Sequence, residues 1–397
     1  MITSQKATRQ QTKEHNSRLV LKTIFKEASI SRADIARTTH LTRTTVSDIV
    51  SDLIRAGLIE EIGYGSSVGG KPPIQVSLVD DSRHLLCIDL SSDEFRGAIV
   101  NLRGKIQHEI SLPLKDRRAD SALALVFELI DQLLPKTSVP LLGIGIGSPG
   151  LIDAQRGFVH QAVNLGWIDL PLRDQLAARY RLPIYVANDS HAAALAEYTF
   201  GGNQHSNLIV IKIGPGIGSG IIFAGNPYYG DGGSAGEIGH MRVVEGGTLC
   251  TCGNYGCLET VASSRAIVNW ARELVQRESD SLLAQAASSA QEVDLDLVLK
   301  SFKAGDEEVS TKIQEVGRHL GAAVASLISI LNVNKIVISG DLIVFGEALL
   351  EAVKHEVKSR VLSAMIAESD ISFTSLGMDA VILGATALVL FNELGLP

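Results

Sequence analysis

The 397-residue chain is poor in cysteine, aromatic side chains and long apolar runs: it has four cysteines, and aromatic residues make up 5%. Four thiols are too few for a disulfide scaffold at this length. The opening stretch, MITSQKATRQQTKEHN, is polar and lacks an apolar core, so no secretory signal is expected. The longest apolar stretch, over 321–333, is too short and too interrupted by Ser and Asn to cross a bilayer. A cytoplasmic protein with no membrane partner is therefore expected. Positive charge is also in deficit, with 36 Lys plus Arg against 44 Asp plus Glu and a net charge of −8. Such a total speaks against a polyanionic partner, but the charge is unevenly spread. Residues 1–72 hold 11 basic against 7 acidic side chains, leaving 25 against 37 in the remainder, so +4 stands beside −12. A basic head on an acidic body suggests a polyanion-binding module joined to something else. Hydrophobic residues at 45% and charged residues at 20% exclude a disordered chain, and the length predicts two or three domains.

In the head, apolar positions recur at helical spacing. Leu19, Leu21, Ile24 and Phe25 line a first helix. Ser31 is the expected N-cap of a second over 32–38, with Asp34 three residues on. After a tight turn at Thr39, His40 and Leu41, Thr42 caps a third helix whose inner face carries Val46, Ile49, Val50, Leu53 and Ile54. His40 stands where such turns usually have Gly, and His tolerates positive φ better than most residues. Two strands, over 57–62 and 73–78 with a Gly-rich tip between them, complete a winged helix-turn-helix. Thr42, Arg43, Thr44, Thr45 and Ser47 open the recognition helix and are the expected base-reading set, while Arg32 and Lys71 are placed for phosphates. A three-helix packing module used for dimerisation is the plainer alternative.

From about residue 83 strands and helices alternate. Two strand–turn–strand units, at 84 and at 208, hint at a duplicated α/β lobe with a ligand cleft between the copies. Four groups of residues carry chemistry there. The turn from Gly214 to Gly220 has glycines that let backbone amides approach an anion or a polar ligand. His240, Cys250, Cys252 and Cys257 form a complete Cys3His set, which suits structural zinc and leaves no open coordination position. Asn188 and Asp189, at the end of a strand, serve either as hydroxyl ligands, with the Asp a possible general base, or as a helix N-cap. Glu237 and His240, three apart and followed by Glu259, lie on one side of a turn, so the imidazole nitrogen not on a metal is free to meet a ligand.

Taken together, Glu237-x-Gly-His240 and Cys250-x-Cys252-Gly-x-x-Gly-Cys257-x-Glu259 resemble the ROK family of bacterial repressors and sugar kinases, over nearly the whole chain. The resemblance implies an α/β protein: a winged helix-turn-helix over 1–80, then a two-lobed ribonuclease-H-like (sugar kinase/actin-like) domain over 81–397. Its lobes would span about 81–195 plus the C-terminal helix, and 196–380. The family pattern makes Asn164, Asn188, Asp189, Glu237, His240 and Glu259 sugar ligands with Gly150 beside them, and makes Asp189 the position of a kinase's base.

Where ROK kinases open with Asp-x-Gly-x-Thr, this chain has Asp89, Leu90, Ser91, Ser92, Asp93 and Glu94. The glycine has become Ser91, and acids at Asp93 and Glu94 are electrostatically wrong beside a polyphosphate; Asp341 adds another where paired glycines are usual. The expected protein is therefore not an enzyme but a sugar-responsive regulator, a repressor of carbohydrate-utilisation genes, with Asp189 a relict of the base. It would bind double-stranded operator DNA as a homodimer or dimer of dimers. An ATP-dependent sugar kinase with an N-terminal accessory module is the alternative.

Overall fold

The computed structural model describes residues 8–65, 72–91, 93–115, 118–202, 205–277 and 280–396. Lys71, Ser92 and most of the expected wing tip lie outside them.

The head is built by its caps and its apolar periodicity. Helix α1 (Arg9–Lys26), α2 (Arg32–Thr39) and α3 (Arg43–Arg55) each start at a hydroxyl side chain: Thr8, Ser31 and Thr42 accept from the amides of Gln11, Asp34 and Thr45. Each such cap stabilises its helix by about 1 kcal/mol. His40 adopts the left-handed conformation, φ 56°, that turns α2 into α3. Val20, Ile24, Ile35, Val46 and Val50 are fully buried between the three helices. The strands Ile59–Tyr64 and Ile74–Leu78 pair antiparallel as the wing, and Ile30–Ser31 adds a third strand on the far side of Ile74–Leu78.

Two five-stranded sheets form the body and repeat one topology. In the first the order is Ile184–Asn188, Leu141–Ser148, His84–Asp89, Glu94–Asn101, Ile106–Pro113; in the second it is Asp370–Phe373, Lys335–Gly340, Leu208–Ile213, Ile217–Phe223, Asn226–Pro227. In each an antiparallel meander of three strands is extended by two parallel strands. The strands His84–Asp89 and Leu208–Ile213 are near-continuous apolar runs because helices cover both faces. This is the duplicated ribonuclease-H-like, actin-like architecture, and it places the C-terminal ends of both central strands at one cleft.

The helix Ala380–Leu394 packs against the helix Asp189–Phe200 and against the first sheet. With its lead-in from Gly377 it is long and apolar enough, by length and composition, to cross a membrane, with a mean hydropathy of 1.5. It is thus a stronger candidate than the 321–333 stretch singled out from the sequence. Its burial between the lobes accounts for its composition: Val381, Ile382, Ala385, Val389 and Leu390 all lie in the core.

Residues 79–83 alone separate the wing from the first body strand, and the apolar core does not stop there. Val20, Ile24, Ile35 and Val76 of the head share one cluster with Leu85, Cys87, Ala98, Ile382, Leu390 and Leu396. Arg103 ties the surfaces further: its guanidinium donates to the carbonyls of Phe25 and Glu27 and pairs with Asp80. Burial of this many side chains makes the head and the first lobe one mechanical body.

Candidate functional site

Between the ends of the two sheets lies a cavity of about 360 Å³, at the small end of ligand pockets and of a size for a monosaccharide. The six residues that the family pattern makes sugar ligands, Asn164, Asn188, Asp189, Glu237, His240 and Glu259, all line it, as does Gly150 beside them.

Asn188 and Asp189 divide the two roles that the sequence left open. Asn188 is the N-cap of the helix Asp189–Phe200: its Oδ1 accepts from the amides of Ser190 and His191, at 2.8 and 3.3 Å, and its Nδ2 donates to the carbonyl of Gly150 at 3.0 Å. Gly150 has φ +100°, and a Cβ there would lie 2.1 Å from the carbonyl oxygen of Gln161, so only glycine fits beside that cap. Asp189 instead faces the cleft, where its Oδ2 accepts from Nζ of Lys212 at 2.9 Å.

Lys212 was missed from the sequence. It sits inside the apolar strand Leu208–Ile213, and both partners of the pair are nearly buried, with 14% and 12% of their side chains exposed. Burial opposes its charge, but Asp189, then Asp89 and Asp341, outweigh that and hold its pKa above the ordinary lysine value. Asp89 is buried as well; burial pushes its carboxyl up, and Asp189 adds to this against the pull of Lys212. One ammonium thus serves carboxylates from the first sheet, the cleft helix and the second lobe.

In the Gly214–Gly220 turn, which lines the cavity, the amide of Ile217 donates to Oε2 of Glu259 at 3.1 Å, so the anion at that one amide is the protein's own. Glu237 opens the single turn Ile238–His240, which brings its Oε2 within 3.9 Å of Nε2 of His240. Partial burial, and then the neighbouring Asp189 and Glu259, raise Glu237 to about 7. Arg265, also absent from the sequence-level set, lines the same cavity, and its Nη2 donates to Oδ1 of Asn164 at 3.2 Å.

His240, Cys250, Cys252 and Cys257 bring their four donor atoms within 4.8 Å of one another. Nδ1 of His240 lies 3.5 Å from Sγ of Cys250, and Sγ of Cys252 lies 3.7 Å from Sγ of Cys257. A tetrahedral ion with metal–sulfur bonds of about 2.3 Å needs edges of about 3.7–3.8 Å, so the donors fit a divalent soft metal. The loop reaches that shape because Gly256 has φ +73°, and a Cβ there would lie 1.7 Å from the carbonyl oxygen of Val244. With Nδ1 turned to the thiols, Nε2 of His240 is left facing Glu237 and the cleft.

Ser91 and Asp189 line the cavity, whereas Asp93 and Glu94 are exposed and, like Asp89 and Asp341, do not line it. On the head, Thr42, Arg43, Thr44 and Ser47 are exposed at the start of α3, and Thr45 is half-buried. The guanidinium of Arg32 pairs with Glu61 of the wing at 2.7 Å, so it also braces the wing.

Residues 85–391 match the ROK family, and residues 13–60 match the winged helix-turn-helix DNA-binding family. The chain belongs to the ROK family. It is 34% identical over 390 residues to the xylose repressor of Caldicellulosiruptor bescii, covering 97% of this chain and 98% of the relative. It superposes with a TM-score of 0.84 and 29% identity on a ROK family transcriptional regulator, a homologue of the Escherichia coli MLC protein, covering 97% of this chain and 98% of the other. A ROK glucokinase from Streptomyces griseus, solved with glucose and AMPPNP, aligns with 77% of this chain and 98% of its own, at a TM-score of 0.70 and 28% identity. The kinase thus matches little beyond the body, whereas the repressor and the regulator match head and body together.

Proposed function

We propose that this ROK protein is a sugar-responsive DNA-binding transcriptional regulator, a cytoplasmic repressor of carbohydrate-utilisation genes that works as a symmetric dimer or dimer of dimers. The carrying observation is the single apolar core that joins the recognition-helix module to the lobe forming one wall of the cleft. A carbohydrate held between the lobes would favour one lobe arrangement, and the head would move with its lobe. The shift in DNA affinity is limited by the sugar's differential affinity for the two arrangements. Gly150, Asn164, Asn188, Asp189, Glu237, His240 and Glu259 would bind the sugar, and Thr42, Arg43, Thr44, Thr45 and Ser47 the base edges. Zinc would be held by His240, Cys250, Cys252 and Cys257, where it supplies structural cross-linking. Phosphotransfer is absent in this reading because Lys212 occupies the carboxylate at the base position.

Gel-shift titration of the chain's own upstream DNA at fixed salt, with and without a panel of sugars, tests the proposal. Arg43→Ala should lower specific affinity by about 1–3 kcal/mol, roughly 5- to 150-fold, with a smaller change on random DNA. Absence of any sequence-specific complex would refute it. The kinase alternative draws only on Asp189 facing the cleft, and it requires ADP release with some sugar.

Glu237 gives the sugar response a pH dependence. Its carboxyl is raised to about 7 in the free protein. Its contribution to stability is therefore complete below the ordinary carboxyl range and is lost as pH rises through about 7. A sugar hydroxyl donates more strongly to the ionised carboxylate, so sugar affinity should rise with pH between 6 and 8, with proton release on binding at the lower end. Calorimetry in buffers of different ionisation heat measures the protons released, and Glu237→Gln should flatten the profile.

A further inference from the structure

We infer that Arg265 makes the cleft select a carbohydrate bearing an anionic substituent, either the carboxylate of a uronic acid or a phosphate ester. This rests on the reading of the cleft as a carbohydrate site. The cavity wall is chemically uneven. Asp189, Glu237 and Glu259 can accept hydroxyls but repel an anion, and Lys212 is already paired with Asp189. Arg265 and Lys212 are the two Lys or Arg side chains lining the cavity, and among the described residues no carboxylate lies within ion-pair distance of Arg265.

Its partner is the neutral Oδ1 of Asn164, at 3.2 Å. Asn164 sits on the single turn Val163–Leu165 of the first lobe, and Arg265 near the start of the helix Ser264–Gln276 of the second. The bond across the cleft orients a guanidinium that lines the cavity. A half-buried cation without a counter-charge is costly to keep, in a cleft otherwise rich in carboxylates. For a neutral sugar an amide would serve in its place. A planar fork of N–H donors matches a carboxylate or phosphate through two parallel hydrogen bonds. A ligand with hydroxyls at one end and an anion at the other would satisfy both walls.

The test is calorimetric titration of the full-length protein with glucose, galactose and mannose, their uronic acids and their 6-phosphates. At least one anionic derivative should bind about 10- to 100-fold tighter than its neutral parent, as expected for charge-assisted bonds. The uronate and phosphate arms decide which anion it is. Arg265→Gln should abolish that preference while changing the neutral sugar's affinity by less than about 3-fold, and Arg265→Lys should restore part of it. Operator binding by the Gln variant in the absence of sugar verifies that it is folded. Neutral sugars binding as tightly as every anionic derivative would overturn the inference, as would an Arg265→Gln variant that weakens both alike. If no carbohydrate, charged or neutral, binds wild type, the carbohydrate reading itself falls and this inference with it.

Discussion

Replacing Lys212 with Met is expected to cost about 3–5 kcal/mol of stability, the usual consequence of removing one partner from a buried ion pair. Met is nearly isosteric with the lysine stem, so little packing is lost and the effect isolates the ammonium. Without it Asp189 loses its 2.9 Å partner, and Asp89 and Asp341 lose a neighbouring cation. Asp89, already pushed up by burial, must then stay ionised at a cost or take up a proton. A carboxyl raised by this loss contributes stability that is present at low pH and lost as pH rises through its new pKa. The deficit of Lys212→Met should therefore be large at pH 8 and shrink towards pH 5. Adding Asp189→Asn to Lys212→Met should return most of the loss, because the pair is then removed as a unit. Denaturant unfolding of wild type and the two variants at both pH values measures each step. Wild-type stability for Lys212→Met at pH 8 would show that water, not the ammonium, stabilises the cleft acids.

Lys212 also shows where a linear sequence stops informing. Its strand reads Leu-Ile-Val-Ile-Lys-Ile, and a lysine inside such a run is a visible oddity. Its partners lie 23, 123 and 129 positions away, on a helix start, a strand end and a single turn, so nothing local announces them. What was legible was set within a few residues. Ser31 and Thr42 cap the helices they precede, His40 takes positive φ where the turn demands it, and the Cys3His donors converge because glycine lets their loop close. The sugar set around the cleft came from a family pattern, which already encodes tertiary proximity. Asn188 and Asp189 could not be separated in sequence because cap and ligand favour the same residue types; in the fold both line the cleft, where Asn188 makes the cap bonds and Asp189 pairs with Lys212. The bracing of the wing by Arg32 was hidden because its bond to Glu61 spans 29 positions. The acceptor of the Ile217 amide was likewise hidden, since Glu259 lies 42 positions on. Composition alone also misjudged the C-terminal helix, whose apolarity reflects burial on several sides between the lobes.

Cys257→Ser should uncouple the cleft from its fold more than any change to a sugar-facing side chain. In the proposed zinc site this thiol is a fully buried donor, and it lies 3.7 Å from Sγ of Cys252. Tetrahedral zinc of this type contributes on the order of 10 kcal/mol of apparent binding free energy in small domains. Here the second lobe has its own core, so the global fold should survive and the loss should concentrate in the loop from Leu249 to Cys257. That loop is otherwise held by few bonds, such as the amide of Gly256 to the carbonyl of Thr248 at 2.9 Å. The consequence reaches the cleft through His240. Once Nδ1 is no longer fixed among the thiols, Nε2 loses its orientation beside Glu237, and sugar affinity should fall by at least about 10-fold, the lower range for disturbing a metal-ordered imidazole. Metal analysis should find about one zinc per wild-type chain and a small fraction of that in the variant. Limited proteolysis should cut first within the loop. Operator affinity without sugar should stay near wild type, because the head shares its core with the first lobe and not with this loop. Sugar binding unchanged in a zinc-free Cys257→Ser protein would mean that the turn Ile238–His240 positions the imidazole unaided.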